Sequence, residues 1–143
     1  MRFENSNYYN ITDSKMVTLS IGDFYFLDSF CIAEIKEGVH IGTEECQEII
    51  IALVDYYGED LKIGFISNRI NSFSIDLSQW VKFNIDYDFI IAIAIVCYND
   101  LNFNIATIEK EQSTCSTKRC YTLNQAIEWI TNLKEFKNMS PEC

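Results

Sequence analysis

The stretch FIIAIAIVCY, residues 89–98, decides how this chain folds. It is apolar without alternation, so it reads as a central strand covered on both faces rather than one with a wet side. It is about half as long as the ~20 residues a membrane-spanning helix needs. A strand of that kind needs neighbours of the same character, and two precede it: residues 31–35, CIAEI, and 61–66, LKIGFI.

Between those two lies EGVHIGTEECQEIIIALVDYYGED, residues 37–60. Thr43 suits a helix N-cap, Glu44 and Glu45 suit the positive end of the helix dipole, and Gly58 suits the position just past the end. Cys46, Ile49, Ile50, Leu53, Val54 and Tyr57 recur at spacings of three and four, which places them on one face. Strand 31–35, this helix and strand 61–66 make a βαβ unit with a right-handed crossover expected. Upstream, MVTLSI and FYFLDSFCIAEI, broken at Gly22-Asp23 and Asp28-Ser29, fit three short antiparallel strands.

Downstream, residues 76–83 suit a short helix that lays Leu77, Trp80 and Val81 on the sheet. Asn99 or Asp100 can cap a further helix with a weaker stripe of Leu101, Ile105 and Ile108. A short strand is expected near residues 119–121. Thr122 followed by Gln125 is a capping box, and Leu123, Ala126, Ile127, Ile130 and Leu133 make the stripe of a closing helix. The expected architecture is α/β: a mixed sheet of four to five or more strands with helices mainly on one face. Residues 1–15 are expected as a polar arm, partly ordered at best, residues 16–136 as one domain and residues 137–143 as a tail.

The chain has 143 residues, about one domain. Its 11 basic and 21 acidic side chains give a net charge of −10, which repels phosphate backbones and anionic lipid surfaces and sets aside nucleic acid as a partner. An acidic surface of this kind keeps a protein soluble, and it would also speed encounter with a basic protein partner. The start of the chain lacks a continuous apolar run behind Arg2, so no secretory signal is read and a cytoplasmic location is expected, without membrane insertion. Self-association is compatible with the composition.

In that setting the six cysteines are expected as free thiols. Cys31, Cys97 and Cys46 read as buried hydrophobes, whereas Cys115, Cys120 and Cys143 fall in polar segments. Lys118 and Arg119 beside the Cys115/Cys120 pair could lower a thiol pKa, but the spacing matches no metal or redox motif. His40, the single histidine, has no companion ligands at zinc spacing, and no glycine loop of phosphate-binding type occurs, so no metal and no cofactor are expected.

Taken together, the run CIAEIKEGVHIGTEECQEII, the strand and loop KIGFISNRINSFSID, the strand built on AIAIV, and Tyr121, Thr122 and QAIEWI resemble the SpoIIAA-like branch of the STAS fold over residues 16–136. The resemblance implies a binding and regulatory module without intrinsic catalysis. In anti-sigma-factor antagonists of this fold the loop after the strand equivalent to residues 61–66 carries a phosphorylatable serine preceded by an aspartate. Here it reads SNRINSFSID, with Ser67, Ser72 and Ser74 and no Asp-Ser pair. Other sequences near this fold resemble lipid-binding modules.

Loops at the carboxyl ends of sheet strands are where open α/β folds gather ligands. Ser67, Asn68, Arg69, Asn71, Ser72 and Ser74 are therefore the candidate partner- or ligand-binding residues, although asparagine and serine also suit a plain turn and Arg69 could simply pair with a carboxylate. The leading expectation is a non-enzymatic domain that engages a protein partner through the 67–74 loop and the adjacent short helix. A carrier of a small apolar ligand between sheet and helices is the alternative; a cavity lined by Phe65, Ile93 and Trp80 would favour it, and an exposed apolar patch near the loop would favour the partner.

Overall fold

The computed structural model describes residues 1–133; residues 134–143, which hold the expected end of the domain, the tail and Cys143, lie outside the described residues. Strands β1 (Lys15–Leu19), β2 (Gly22–Phe26) and β3 (Phe30–Ile35) make two antiparallel pairs, β1–β2 and β2–β3. A short helix α1 (Asn7–Ile11) precedes them. A two-residue strand β4 (His40–Ile41) and the long helix α2 (Thr43–Tyr57) follow. Then come β5 (Ile63–Arg69), a second two-residue strand β6 (Ser74–Ile75), α3 (Leu77–Asp86), β7 (Ile90–Cys97), α4 (Asp100–Glu111), β8 (Ser116–Cys120) and α5 (Leu123–Thr131). The main sheet is ordered β1-β2-β3-β5-β7-β8, with the β3–β5, β5–β7 and β7–β8 pairs all parallel, and β4 pairs with β6 apart from it.

The strand that decides the fold sits where its composition requires. Along β7, Ile93, Ile95 and Cys97 face one core, which holds Ile49, Leu53, Trp80 and Phe83 of α2 and α3. Ala92, Ala94 and Val96 face the other, which holds Leu123, Ala126, Ile127 and Ile130 of α5. Successive strand residues point to opposite sides, so a run apolar at every position is what two covered faces need. The small residues on the α5 side let that helix come close: a methyl group at Gly64 would lie 2.6 Å from Cδ1 of Ile130. Helices α2, α3 and α4 lie over one face, while α5 and the chain start cover the other.

The local signals are honoured with small shifts. Gly42, one residue before Thr43, caps α2, its N–H donating to Glu45 Oε1 at 2.9 Å, and Gly58 ends the helix at φ +79°. Asn99 caps α4, accepting from the Asn102 N–H at 2.8 Å. Thr122 accepts from the Gln125 N–H at 3.0 Å, while the Gln125 side chain reaches back to the Tyr121 N–H, one residue earlier than a strict capping box.

Two expectations need correction here. The segment 1–15 is not merely a polar arm: Phe3 is fully buried in the α5-side core, edge-on to Tyr25 and Tyr9, because the end of the sheet leaves apolar surface there that α5 does not reach. On α3 the buried residues are Trp80, Phe83 and Asn84, with Leu77 left exposed, because the helix runs on to Asp86 and its inner face is set by Trp80 and Phe83.

Candidate functional site

The sequence reads 67–74 as a loop, but its first three residues belong to a strand. Strand β5 continues through Ser67, Asn68 and Arg69, all three buried. The pleat then divides them: Ser67 and Arg69 face α3 and α4, and Asn68 faces the chain start. A single site cannot use all three. Polar residues can extend this strand because each finds a partner within the protein.

Arg69 is held by Glu109 of α4. Its Nη1 donates to Glu109 Oε2 at 2.9 Å, its Nη2 to Glu109 Oε1, and its Nε to Ser67 Oγ at 3.1 Å, while the guanidinium lies over the Phe73 ring at 5.2 Å. Both side chains are about nine-tenths buried. The fork-to-carboxylate geometry satisfies both charges, so Arg69 is a support and not a free ligand group.

The remaining residues form the true turn. Asn71 Nδ2 donates to the Ile35 carbonyl at 3.0 Å, the Ser72 N–H donates to Glu37 Oε2 at 2.9 Å, and the Ser74 hydroxyl meets His40 Nδ1 at 2.7 Å. Together with the β4–β6 pairing, these bonds tie the turn to residues 35–41. Ser72 and Ser74 stay exposed.

Helix α4 departs most from expectation. Its stripe of Leu101, Ile105 and Ile108 points outward, 69%, 46% and 51% exposed, while Ala106 and Glu109 face the sheet. Beside it stands Leu77 at the start of α3. A hollow of about 180 Å³ is lined by Ile75, Leu77, Trp80, Ile105, Ile108 and Glu109. A second, of about 190 Å³, adjoins it through Ile75, Ile105 and Glu109 and reaches Asn71, Ser72, Ser74 and Asn102. The two make one groove, apolar at the α3 end and polar at the turn.

On the other face the carboxyl ends of β3, β5 and β7 gather a second polar cluster that the sequence reading missed. Glu34 Oε2 accepts from the Phe3 N–H at 2.7 Å and from Asn68 Nδ2 at 2.8 Å, and Asn68 Oδ1 accepts from the Tyr98 hydroxyl at 2.6 Å. Glu34 Oε1 is buried without a hydrogen-bond partner, with Arg2 4.0 Å away. Burial pushes the Glu34 carboxyl above its ordinary range against the pull of Phe3, Asn68 and Arg2. The available signal was a lone carboxylate inside FCIAEI, a strand buried at every position.

An apolar cavity of about 40 Å³ lies between sheet and helices, lined by Phe65, Ile49, Trp80 and Phe83 and closed by Ile41 and Ile75 of the β4–β6 pair. Ile93, expected there, is not among its lining residues.

No protein-family model matches the chain, and no curated protein matches it. Among solved structures it is similar to the crystal structure of an uncharacterized protein of the DUF3478 family from Shewanella loihica PV-4, which has a SpoIIAA-like fold. The match has a TM-score of 0.54 at 11% identity and covers 82% of this chain and 92% of the other. The fold is SpoIIAA-like.

Within this SpoIIAA-like fold the other sequence candidates are ordinary structural groups. Cys120 is fully buried, and burial raises its thiol to about 11 although Lys118 pulls it down; Arg119 instead bonds Thr107 Oγ1 and stacks on Phe103 at 4.2 Å. Burial likewise raises Cys31, Cys46 and Cys97, the reverse of what a reactive thiol needs. Cys115 packs beside the α2–α3 core and Cys120 in the α5-side core, so the two do not form a pair. Among the described residues no group of three metal-ligating side chains comes together, and no helix is long and apolar enough to cross a membrane.

Proposed function

We propose that the protein is a non-enzymatic binding and regulatory domain that engages a protein partner through the turn at Asn71, Ser72 and Ser74 and the adjoining surface of α3 and α4. One observation carries this reading: an apolar stripe of Leu101, Ile105 and Ile108, with Leu77, is turned to solvent beside the turn. Scattered exposed apolar residues need no explanation, but Leu77, Ile105 and Ile108 line one groove, with Leu101 one turn before Ile105 on α4, and make a patch of the kind that protein partners cover.

The rival reading, a carrier of a small apolar ligand, draws on the cavity under β4 and β6. Its 40 Å³ is well below the ~150 Å³ of a protein cavity that takes benzene, so it would have to open before any chain-like ligand could enter. A photo-crosslinking residue at Ser72, and another at Leu77, tests the leading reading in extracts of the source organism. Covalent capture of the same protein from both positions is expected. Capture no greater than from Asn124, exposed on α5, would refute it.

A further inference from the structure

The groove between α3 and α4 has a length, a polarity and a charge, and together these select its occupant. Leu101, Ile105 and Ile108 stand at i, i+4 and i+7 on α4, so the stripe runs for about 10 Å along the helix. That is the span of the apolar anchors on a partner helix, which also recur at i, i+3 or i+4 and i+7. The two adjoining hollows, about 180 and 190 Å³, lie beside the stripe on the β6 side and offer two seats for anchoring side chains.

The exposed charges around the groove are mainly negative. Asp76 is exposed between Ile75 and Leu77, Asp100 precedes Leu101, and Glu111 follows Ile108 by three residues; Lys110 is the exposed cation among them. Lys82 of α3 is already paired with Asp86 at 3.3 Å, and Glu109 is taken up by Arg69. The chain as a whole carries −10. A second copy would bring the same acidic rim against this one, and an anionic membrane would be repelled before the apolar residues could insert.

On the basis of the proposed binding role, we infer that the α3–α4 groove is a docking site for a cationic amphipathic helix of a partner protein. Its apolar anchors lie along Ile105 and Ile108 and fill the hollow beside Leu77. Its lysines or arginines flank that line and face Asp76, Asp100 and Glu111. The polar end of the groove at Asn71, Ser74 and Asn102 receives the end of the helix. The apolar residues supply affinity, and the acidic rim supplies the encounter rate and the choice between partners.

The test uses the full chain and two synthetic amphipathic helical peptides with leucine at i, i+4 and i+7, one carrying lysines on the flanks and the other glutamates. Binding is read by fluorescence anisotropy at low and at high salt, and located by amide chemical-shift changes. The lysine peptide is expected to bind, to shift the amides of Ile75, Leu77, Ile105 and Ile108, and to weaken several-fold in high salt. Ile105→Ser and Leu77→Ser should each weaken it about tenfold with an unchanged melting temperature, because both side chains are exposed. Three results would overturn the inference: equal binding of both peptides, binding indifferent to Ile105→Ser, or a self-dimer that covers Ile105 in sedimentation experiments. Binding to anionic vesicles that is lost in Ile105→Ser would replace a protein by a membrane and also overturn it. Crosslinking at Ser72 and Leu77 that captures one partner through an acidic or extended segment would leave the binding role standing and remove the cationic helix.

Discussion

Replacing Glu109 by alanine strands the Arg69 guanidinium in the interior beneath α4. The carboxylate is its only counter-ion among the described residues, and what remains to it is the Ser67 hydroxyl and the face of Phe73. Removing one partner of a buried ion pair costs about 3–5 kcal/mol. Here the two hollows beside Glu109 let water approach the orphaned charge, so the lower end, about 3 kcal/mol, is expected. At about 3 °C per kcal/mol for a chain of this size, the melting temperature should fall by about 9 °C. The mirror variant Arg69→Ala should lose a similar amount. The double variant Arg69→Met with Glu109→Leu restores apolar packing without charges and should return to within about 1 kcal/mol of the parent. Urea unfolding of these proteins and of the double variant Arg69→Ala with Glu109→Ala, followed by circular dichroism, closes the cycle. Single losses below about 1 kcal/mol that simply add in the double alanine variant would show that the pair does not hold α4 in place.

Glu34→Gln should abolish a pH dependence: the folded carboxyl titrates above its unfolded value, so the stability it confers is full below the ordinary carboxylate range and is lost as pH rises through the raised native value. The parent should therefore lose stability relative to the variant over that interval in a melting series; parallel curves would contradict the burial argument. Phe3→Ala should cost about 3–5 kcal/mol, as for a phenylalanine with no exposed surface, and a loss under 1 kcal/mol in urea would mean that the chain start is not part of the core. Gly64→Ala should cost about 1–3 kcal/mol by pressing a methyl group into Ile130, and Ile130→Val in the same chain should recover part of it; an additive double variant would show that α5 does not rest on Gly64.

What could be read from the sequence and what could not divide along one physical line. Composition within a strand reports how many of its faces are covered, and FIIAIAIVCY was read correctly on that ground. Periodicity within a helix reports which residues share a face, and the α2 and α5 stripes point to the cores because nothing opposes them. In α4 the same reasoning groups Leu101, Ile105 and Ile108 correctly, but periodicity does not say which face is inward, and here the stripe faces solvent. The direction is decided by a long-range demand. Strand β5 ends on Arg69, directed into the α4 layer, and an interior guanidinium must have a carboxylate. Glu109, four residues after Ile105, stands on the flank of the isoleucine stripe, so offering it to Arg69 rotates the stripe away from the sheet. Phe103, stacked on Tyr121 at 4.3 Å with Arg119 against its ring, holds that rotation from the other side. The polar run SNR that looked like a binding loop is thus the anchor that exposes the apolar residues one helix away. The exposure of that stripe was legible only once the partner of Arg69 was known, a contact 40 residues distant in the chain.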